Sequence, residues 1–424
     1  MSRAASRCAV RLSTLALTAA CPLCPHLVDL PNELLIAILE HLRSTDLCAL
    51  SQTCRHLCAV AERVLYSSIV ISEHLMECVL SERPQERVCL PMRTLRCCDS
   101  LLRRPHLTSI VRQFSIRWQT ANAADHSHAD SQRMSAVCAR ISCVLRSLVA
   151  LERLELLLGP EVDVNVVIRH CRLPALRYCA LSAEAPLEVI PSFSAPSSAS
   201  APQLVEFLSH VPRLTHLRLH EHLDDHVQAA RSHTLLANPL PAGALPVLCA
   251  FRGSPAAAAA LLPGRPVHYL SLSGQDDDFA VHLARLARTS VPVRYLDLAT
   301  MAVRPGLLRS VAVYFPVVEG IKIRLALRHT LHYTMSGIRM LHALVSVLVD
   351  FKALAYLDLS PTEAETRNCH SVGSTERDNA SELCIQWSYV CPTLIRVVFP
   401  SHAEYRKING IWTRLSTRPT RHSK

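Results

Sequence analysis

From position 29 to position 72 the apolar residues fall into short helical stripes. Leu34, Leu35, Ile38, Leu39 and Leu42 recur at helical spacing and predict one stripe of an amphipathic helix. Pro31 stands in its first turn, where the missing N–H costs nothing and the fixed φ suits a helix. Ser44 and Thr45 predict the cap of a second short helix, with Asp46 near its positive end and Leu47 and Leu50 on one face. Thr53 predicts the cap of a third, whose stripe is Leu57, Val60, Ala61, Val64 and Leu65, followed by the β-branched Ile69, Val70 and Ile71. Three helices in about forty residues bury too small a core to be comfortable alone, so this unit wants a partner surface.

Beyond Ser72 a different pattern returns, apolar-x-x-apolar-x-apolar. It occurs at Val111, Phe114, Ile116; Leu151, Leu154, Leu156; Leu214, Leu217, Leu219; Val267, Leu270, Leu272; Val293, Leu296, Leu298; Val318, Ile321, Ile323; Leu354, Leu357, Leu359; and Leu394, Val397, Phe399. Weaker copies lie at Leu173, Leu176, Tyr178 and at Leu245, Leu248, Ala250. The last two apolar positions are two apart, which puts both side chains on one face of a short strand. Helical patterns alternate with these strands: Met134 to Leu148, Gln203 to His210, Asp276 to Arg288, Arg304 to Tyr314, Gly337 to Val349 and Ser381 to Val390. Ser254-Pro255 predicts the cap of a further short helix that Pro263-Gly264 closes. Helix and strand in alternation demand a crossover architecture, and the irregular return of one signature predicts stacked repeats rather than a closed sheet.

The first stretch resembles an F-box: Leu30-Pro31, Glu33, Ile38, Leu42, Asp46-Leu47, Leu50, Cys54-Arg55 and Leu65-Tyr66 fall where that family has them. The resemblance covers about a tenth of the chain. It implies a module that docks on the Skp adaptor of SCF-type cullin–RING ubiquitin ligases, with Leu30, Pro31, Ile38, Leu42, Leu47 and Leu50 at the interface, although any of these residues can instead pack the helices together. The later pattern resembles leucine-rich repeats. It departs from them where an Asn or Cys is expected three positions after the last leucine, since His222, Gln275, Met301 and Thr362 stand there. The fold expected is therefore α/β: a small N-terminal three-helix F-box followed by an irregular, right-handed β/α solenoid of leucine-rich-repeat type.

Composition adjusts this picture at the edges. The 424 residues suffice for a small module plus a large body, partitioned as a disordered leader over 1–28, the F-box-like domain over 29–72, the repeats over 73–400 and a basic tail over 401–424. Segments 182–202, rich in Ser, Ala and Pro, and 361–380, polar and mixed in charge, read as loops. The leader has arginines, serines and no acid; it resembles a transit or signal peptide, but an exported chain would miss the ligase machinery, so a disordered leader or a misassigned start is the preferred reading. The formal charge of +10 comes from arginine, since the only lysines are Lys322, Lys352, Lys407 and Lys424. Base composition explains scarce lysine most simply; a ligase subunit with few sites for modifying itself is the sharper reading. The excess charge is spread out apart from Arg406, Lys407, Arg414, Arg418, Arg421 and Lys424, and no nucleic-acid motif accompanies it. No apolar run is long enough to cross a bilayer. The eighteen cysteines scatter through helices and strands and read as buried free thiols, and Cys21-Pro22-Leu23-Cys24 has no second pair at zinc-site spacing.

Little in the chain asks to be an active site. His220-Glu221-His222-Leu223-Asp224-Asp225-His226 nearly matches the H-x-H-x-D-H ligand set of metallo-β-lactamase-like hydrolases, but one extra residue separates the pairs and the strands that fold needs before it are missing. With ten glycines there is no phosphate loop, and no G-x-S-x-G elbow supplies a nucleophile. No cofactor or metal is expected. The expectation is a non-enzymatic receptor in the cytoplasm or nucleus, whose partners are a Skp-type adaptor, through it a cullin, and an unknown protein substrate, with neither nucleic acid nor membrane bound. A repeat scaffold capped by F-box-like helices is the alternative, which burial of Leu34, Ile38 and Leu42 against the repeats would favour; a metal-dependent hydrolase is the third reading.

Overall fold

The computed structural model describes Leu27 and residues 30–75, 78–79, 87–88, 91–120, 128–158, 162, 164–183, 203–221, 240–241, 243–326, 341–362 and 375–415. The leader expected over 1–28 lies outside these residues apart from Leu27, as does Cys21-Pro22-Leu23-Cys24. The chain divides into two compact units, the first ending at Tyr66 and the second beginning at Ser67.

The first unit holds helices α1 (Asn32–Leu39), α2 (Ser44–Leu50) and α3 (Arg55–Ser67), the last running one residue past the boundary. Its core is Leu35, Leu39, Leu47, Leu57, Val60 and Ala61, with Leu30, Ile36, Leu50, Val64 and Leu65 packed against it. Pro31 caps α1 from outside rather than entering its first turn, and Leu42 lies beyond the last helical residue. Thr53 does not cap α3: its hydroxyl donates back to the Leu50 carbonyl, and the Cys54 sulfur accepts the Leu57 N–H instead. Arg43 and Asp46 pair across the start of α2 on the surface, where such a pair adds little.

Among the described residues of the second unit the strands are β1 (Ser68–Leu75), β2 (Cys78–Val79), β3 (Arg87–Val88), β4 (Gln113–Thr120), β5 (Arg153–Leu157), β6 (Tyr178–Ala183), β7 (His216–Glu221), β8 (Ala250–Gly253), β9 (Tyr269–Leu272), β10 (Tyr295–Val303), β11 (Gly320–Leu325), β12 (Tyr356–Asp358), β13 (Arg396–Val398), β14 (Glu404–Ile408) and β15 (Ile411–Leu415). Helices α4 (Met92–Arg103), α5 (Pro105–Thr108), α6 (His128–Ser147), α7 (Val164–Ile168), α8 (Gln203–Ser209), α9 (Pro255–Leu261), α10 (Asp276–Leu286), α11 (Pro305–Tyr314), α12 (Val345–Leu348) and α13 (Thr375–Val390) lie between strands. Apart from the β2–β3 pair, all these strands form one sheet in sequence order, parallel from β1 to β13 and antiparallel for β14 and β15. The sheet is open and does not curl, so the right-handed solenoid expected from the repeats is present as its local unit alone, strand, helix and neighbouring parallel strand.

Each of the eight stronger copies of the signature places its central apolar residue in a strand, and the pairing aligns these residues in one row. Ile69, Phe114, Leu154, Cys179, Leu217, Phe251, Leu270, Leu296, Ile321, Leu357 and Val397 are successive partners across the sheet. Two copies were expected in the wrong place. The row takes Leu176, Cys179 and Leu181 where Leu173, Leu176 and Tyr178 were expected, and Leu248, Phe251 and Gly253 where Leu245, Leu248 and Ala250 were expected. A thiol and a glycine had replaced the last apolar residues and hidden the register. Gly253 is required by its neighbour, because a Cβ there would stand 2.9 Å from the Phe251 ring, which already fills that space.

One hydrogen-bond motif repeats with the row. The carbonyl of the residue before each strand accepts two consecutive amides from the start of the next. Arg112 takes those of Glu152 and Arg153, Glu152 those of Arg177 and Tyr178, Arg177 those of Thr215 and His216, and so on to Ala355, which takes Ile395 and Arg396.

Other expectations shift at their boundaries. Ile69 to Ile71 begin the sheet as β1 instead of ending the helical module, because they pair with Phe114 to Ile116. Ser182 belongs to β6 rather than to a loop, and the rest of that insertion beyond Ala183 lies outside the described residues. At 361–380, Thr362 is buried and its hydroxyl accepts the Leu325 N–H, while α13 already starts at Thr375. The basic tail is a hairpin as far as Leu415: Tyr405 and Trp412 are buried, Tyr405 meets Phe399 edge-on, and Phe399 stacks on Trp387. Its two-residue turn is Asn409-Gly410, both at positive φ, as a hairpin turn of this length demands. Gly410→Val should cost about 1–2 kcal/mol, because a β-branched residue is strained at φ +82°. Hydrogen exchange should show faster amides in β14 and β15 and unchanged ones in β4 to β6; equal exchange throughout would reject the turn's role.

Candidate functional site

Two surfaces carry the functional candidates. On α1 the single stripe expected from the sequence divides into two. Leu35 and Leu39 point into the core, whereas Leu34, Ile38 and Leu42 are 53%, 44% and 38% exposed. Residues four apart stack on one helical line, so adjacent lines of one apolar arc end up inside and outside. Of the six predicted interface residues, Pro31, Ile38 and Leu42 are exposed, Leu30 and Leu50 are half-buried against the core, and Leu47 is wholly within it. Leu34 is the apolar residue that the expected set omitted.

The second surface is the sheet face opposite the apolar row. Strand alternation places two rows of side chains there. One row includes Arg153, Tyr178, His216, Tyr269, Tyr295, Tyr356 and Arg396; the next includes Ser115, Glu155, Arg218, Arg252, Ser271, Asp297, Lys322 and Asp358. Gly320 keeps the first row closed, since a Cβ there would lie 2.7 Å from the Tyr295 ring. Arg153 lies over the Tyr178 ring at 4.0 Å and Arg396 over Tyr356 at 4.7 Å.

The acids of this face are held by their neighbours. Glu155 accepts from Ser115 at 3.1 Å, Arg117 at 2.9 Å and Arg153 at 2.7 Å. Burial pushes its carboxyl up, but these donors prevail and hold it below the ordinary range. Asp297 accepts the Ser271 hydroxyl at 3.2 Å and the Ala299 N–H at 3.0 Å. Asp358 accepts the Tyr356 hydroxyl at 3.0 Å and the Ser360 N–H at 2.9 Å, with the Lys322 amine 3.5 Å away. Burial raises Asp358 and these groups lower it further, so it too sits low; burial and then the Asp358 charge push Tyr356 up to about 12. Asp297 and Asp358 thus each accept the amide two positions further along their own chain, from Ala299 and Ser360.

The remaining candidates do not assemble into a site. The predicted metal motif begins on β7, but residues 222–226 lie outside the described residues, and among the described ones no three His, Cys, Asp or Glu side chains cluster to hold an ion. The described cysteines are free thiols; Cys98, Cys138, Cys171, Cys179, Cys384 and Cys391 are buried. Burial pushes Cys98 and Cys384 up to about 12, which keeps them protonated and inert. Arg406, Lys407 and Arg414 of the expected basic cluster sit on the hairpin, and residues 416–424 lie outside the described residues. Among the described residues no helix is long and apolar enough to cross a membrane.

Glu155 makes the electrostatics of this face testable. A carboxyl held low in the folded protein contributes stability that is complete above its unfolded value and lost as pH falls through the folded one. Glu155→Gln should cost about 1–3 kcal/mol at neutral pH and flatten the acid side of the melting temperature's pH profile. Parallel profiles for the two proteins would rule out this role.

Comparison with known proteins bears on the first surface. A search of curated proteins found no match to this chain. Residues 27–72 match the family model described as F-box-like, a span that contains α1, α2, α3 and the start of β1, and the helical unit that opens this chain is an F-box-like domain.

Proposed function

We propose that this chain is the substrate-recognition subunit of an SCF-type cullin–RING ubiquitin ligase. F-box domains generally bind Skp-type adaptors. The observation that carries the reading is the outward apolar line of Leu34, Ile38 and Leu42 on a helix whose other apolar line, Leu35 and Leu39, already fills the core. Covering such a patch of large aliphatic side chains is favourable at about 25 cal/mol per Å². The adaptor, and through it a cullin, takes this face. The body is read as irregular leucine-rich repeats, supported by the shared strand signature and the repeated carbonyl motif, and its tyrosine- and arginine-bearing sheet face receives a protein substrate. Tyrosine and arginine suit that task, since both are enriched at the centres of interfaces.

In this role the chain supplies no bond-making chemistry. It raises the effective concentration of a substrate lysine near the charged ubiquitin-conjugating enzyme. It works where that machinery works, in the cytoplasm or nucleus.

Ile38→Glu together with Leu42→Glu should reduce co-purification of the Skp-type adaptor by at least about tenfold while leaving the melting temperature within about 2 °C, because both side chains already face water. Leu35→Ala should instead destabilise the helical unit by about 2–5 kcal/mol. Undiminished adaptor recovery with the glutamate pair would reject the receptor role.

A further inference from the structure

We propose that the sheet face carries an anion-binding subsite at Arg218 and Arg252 that receives an acidic side chain of a protein segment. This rests on the substrate-receptor reading and names the chemistry of what the face holds. Arg218 and Arg252 are direct partners on the parallel strands β7 and β8, so their side chains rise from the same face of adjacent strands. Like charges placed opposite each other in a sheet repel. Several other charges on this face are compensated: Arg117 and Arg153 by Glu155, Lys322 by Asp358, and Arg396 by Glu404. Among the described residues no carboxylate pairs with Arg218 or Arg252, and the Nε of Arg218 is buried without a hydrogen-bond partner.

The neighbours leave room for a ligand. On the other side of Arg218 stands Ala180, and beyond Arg252 stands Ser271. One row away, Ala250 lies between His216 and Tyr269. Small side chains thus flank the two guanidinium groups, with Tyr178 and His216 on one side and Tyr269 on the other. Two arginines side by side on adjacent strands can offer their guanidinium groups to one carboxylate or phosphate through charge-assisted hydrogen bonds. The exposed rings of Tyr269 and Tyr295, continuing along the same face, supply apolar contact for the flanking residues of the segment. The occupant is an acidic peptide segment of a partner protein, matched by this charge.

Three fluorescein-labelled hexapeptides test the subsite by anisotropy with the full chain: hexaglutamate, a glycine–serine peptide carrying one phosphoserine, and hexaglutamine. At least one acidic probe should bind, with affinity that falls as salt rises, and hexaglutamine should not. The tighter acidic probe distinguishes carboxylate from phosphate as the anion. Arg218→Gln with Arg252→Gln should weaken that binding by about tenfold or more, whereas Arg218→Lys with Arg252→Lys retains most of it. The glutamine pair should melt no earlier than the parent protein, because it relieves a repulsion, and should still co-purify the adaptor. The proposal is overturned if neither acidic probe binds, if the glutamine pair binds as the parent does, or if that pair is destabilised. It is also overturned if only Asp224→Asn with Asp225→Asn admits a probe, since the chain's own segment then fills the site. Adaptor loss with Ile38→Glu and Leu42→Glu is read separately, so the failure of one reading is distinguishable from the failure of the other.

Discussion

Before each parallel strand from β4 to β12 a single carbonyl oxygen receives two amides from the chain that follows, an arrangement that recurs from Arg112 to Ala355. This constraint sets where each new strand starts. Once the start is set, the side-chain period of two decides which residues meet the core, and a slip of one position would turn the apolar row outward. The intervening helices and loops are therefore free to vary. Helices as different as the four-residue α12 and the sixteen-residue α13 serve neighbouring connections without disturbing the row that runs from Ile69 to Val397.

With one face committed to packing, the other is released to carry charge. Its acids lie in the strands beside donors from the preceding strand or their own, so Glu155, Asp297 and Asp358 are satisfied within the sheet itself. Hydrogen bonds of this kind fix the acids in place, and they hold the Glu155 and Asp358 carboxyls below the ordinary range, which makes them supports for the surface more than ligands for something else. Arg218 and Arg252 stand side by side on that face, with no carboxylate paired to either among the described residues. The sheet's last edge is also managed from within: the hairpin of β14 and β15 covers β13, and the aromatic contacts among Trp387, Phe399 and Tyr405 bury its inner side.

Much of this was legible from residue spacing. The eight stronger copies of the strand signature became strands because an apolar pair two apart has a single way to face a core. The two copies placed three residues early failed for a physical reason: Cys179 and Gly253 pack as well as leucine where the neighbouring side chains leave that shape, and spacing alone does not reveal the shape. Asn409-Gly410 was a readable hairpin signal that the surrounding positive charge obscured. The candidate site was readable only in part. Pro31, Ile38, Leu42 and Leu34 are exposed while Leu47 is core, since a wide apolar arc on a short helix has two edges and the neighbouring helices choose between them.

Local periodicity thus settles which segments are helix and which are strand, and composition settles that catalysis by a phosphate loop or a serine elbow has no residues to use. Pairing across distant segments settles the rest. Arg218 and Arg252 are thirty-four positions apart along the chain and become neighbours only because Thr215 lends its carbonyl to Cys249 and Ala250. Proximity of that kind comes from hydrogen bonds between residues far apart in the chain, and no pattern confined to one segment contains it.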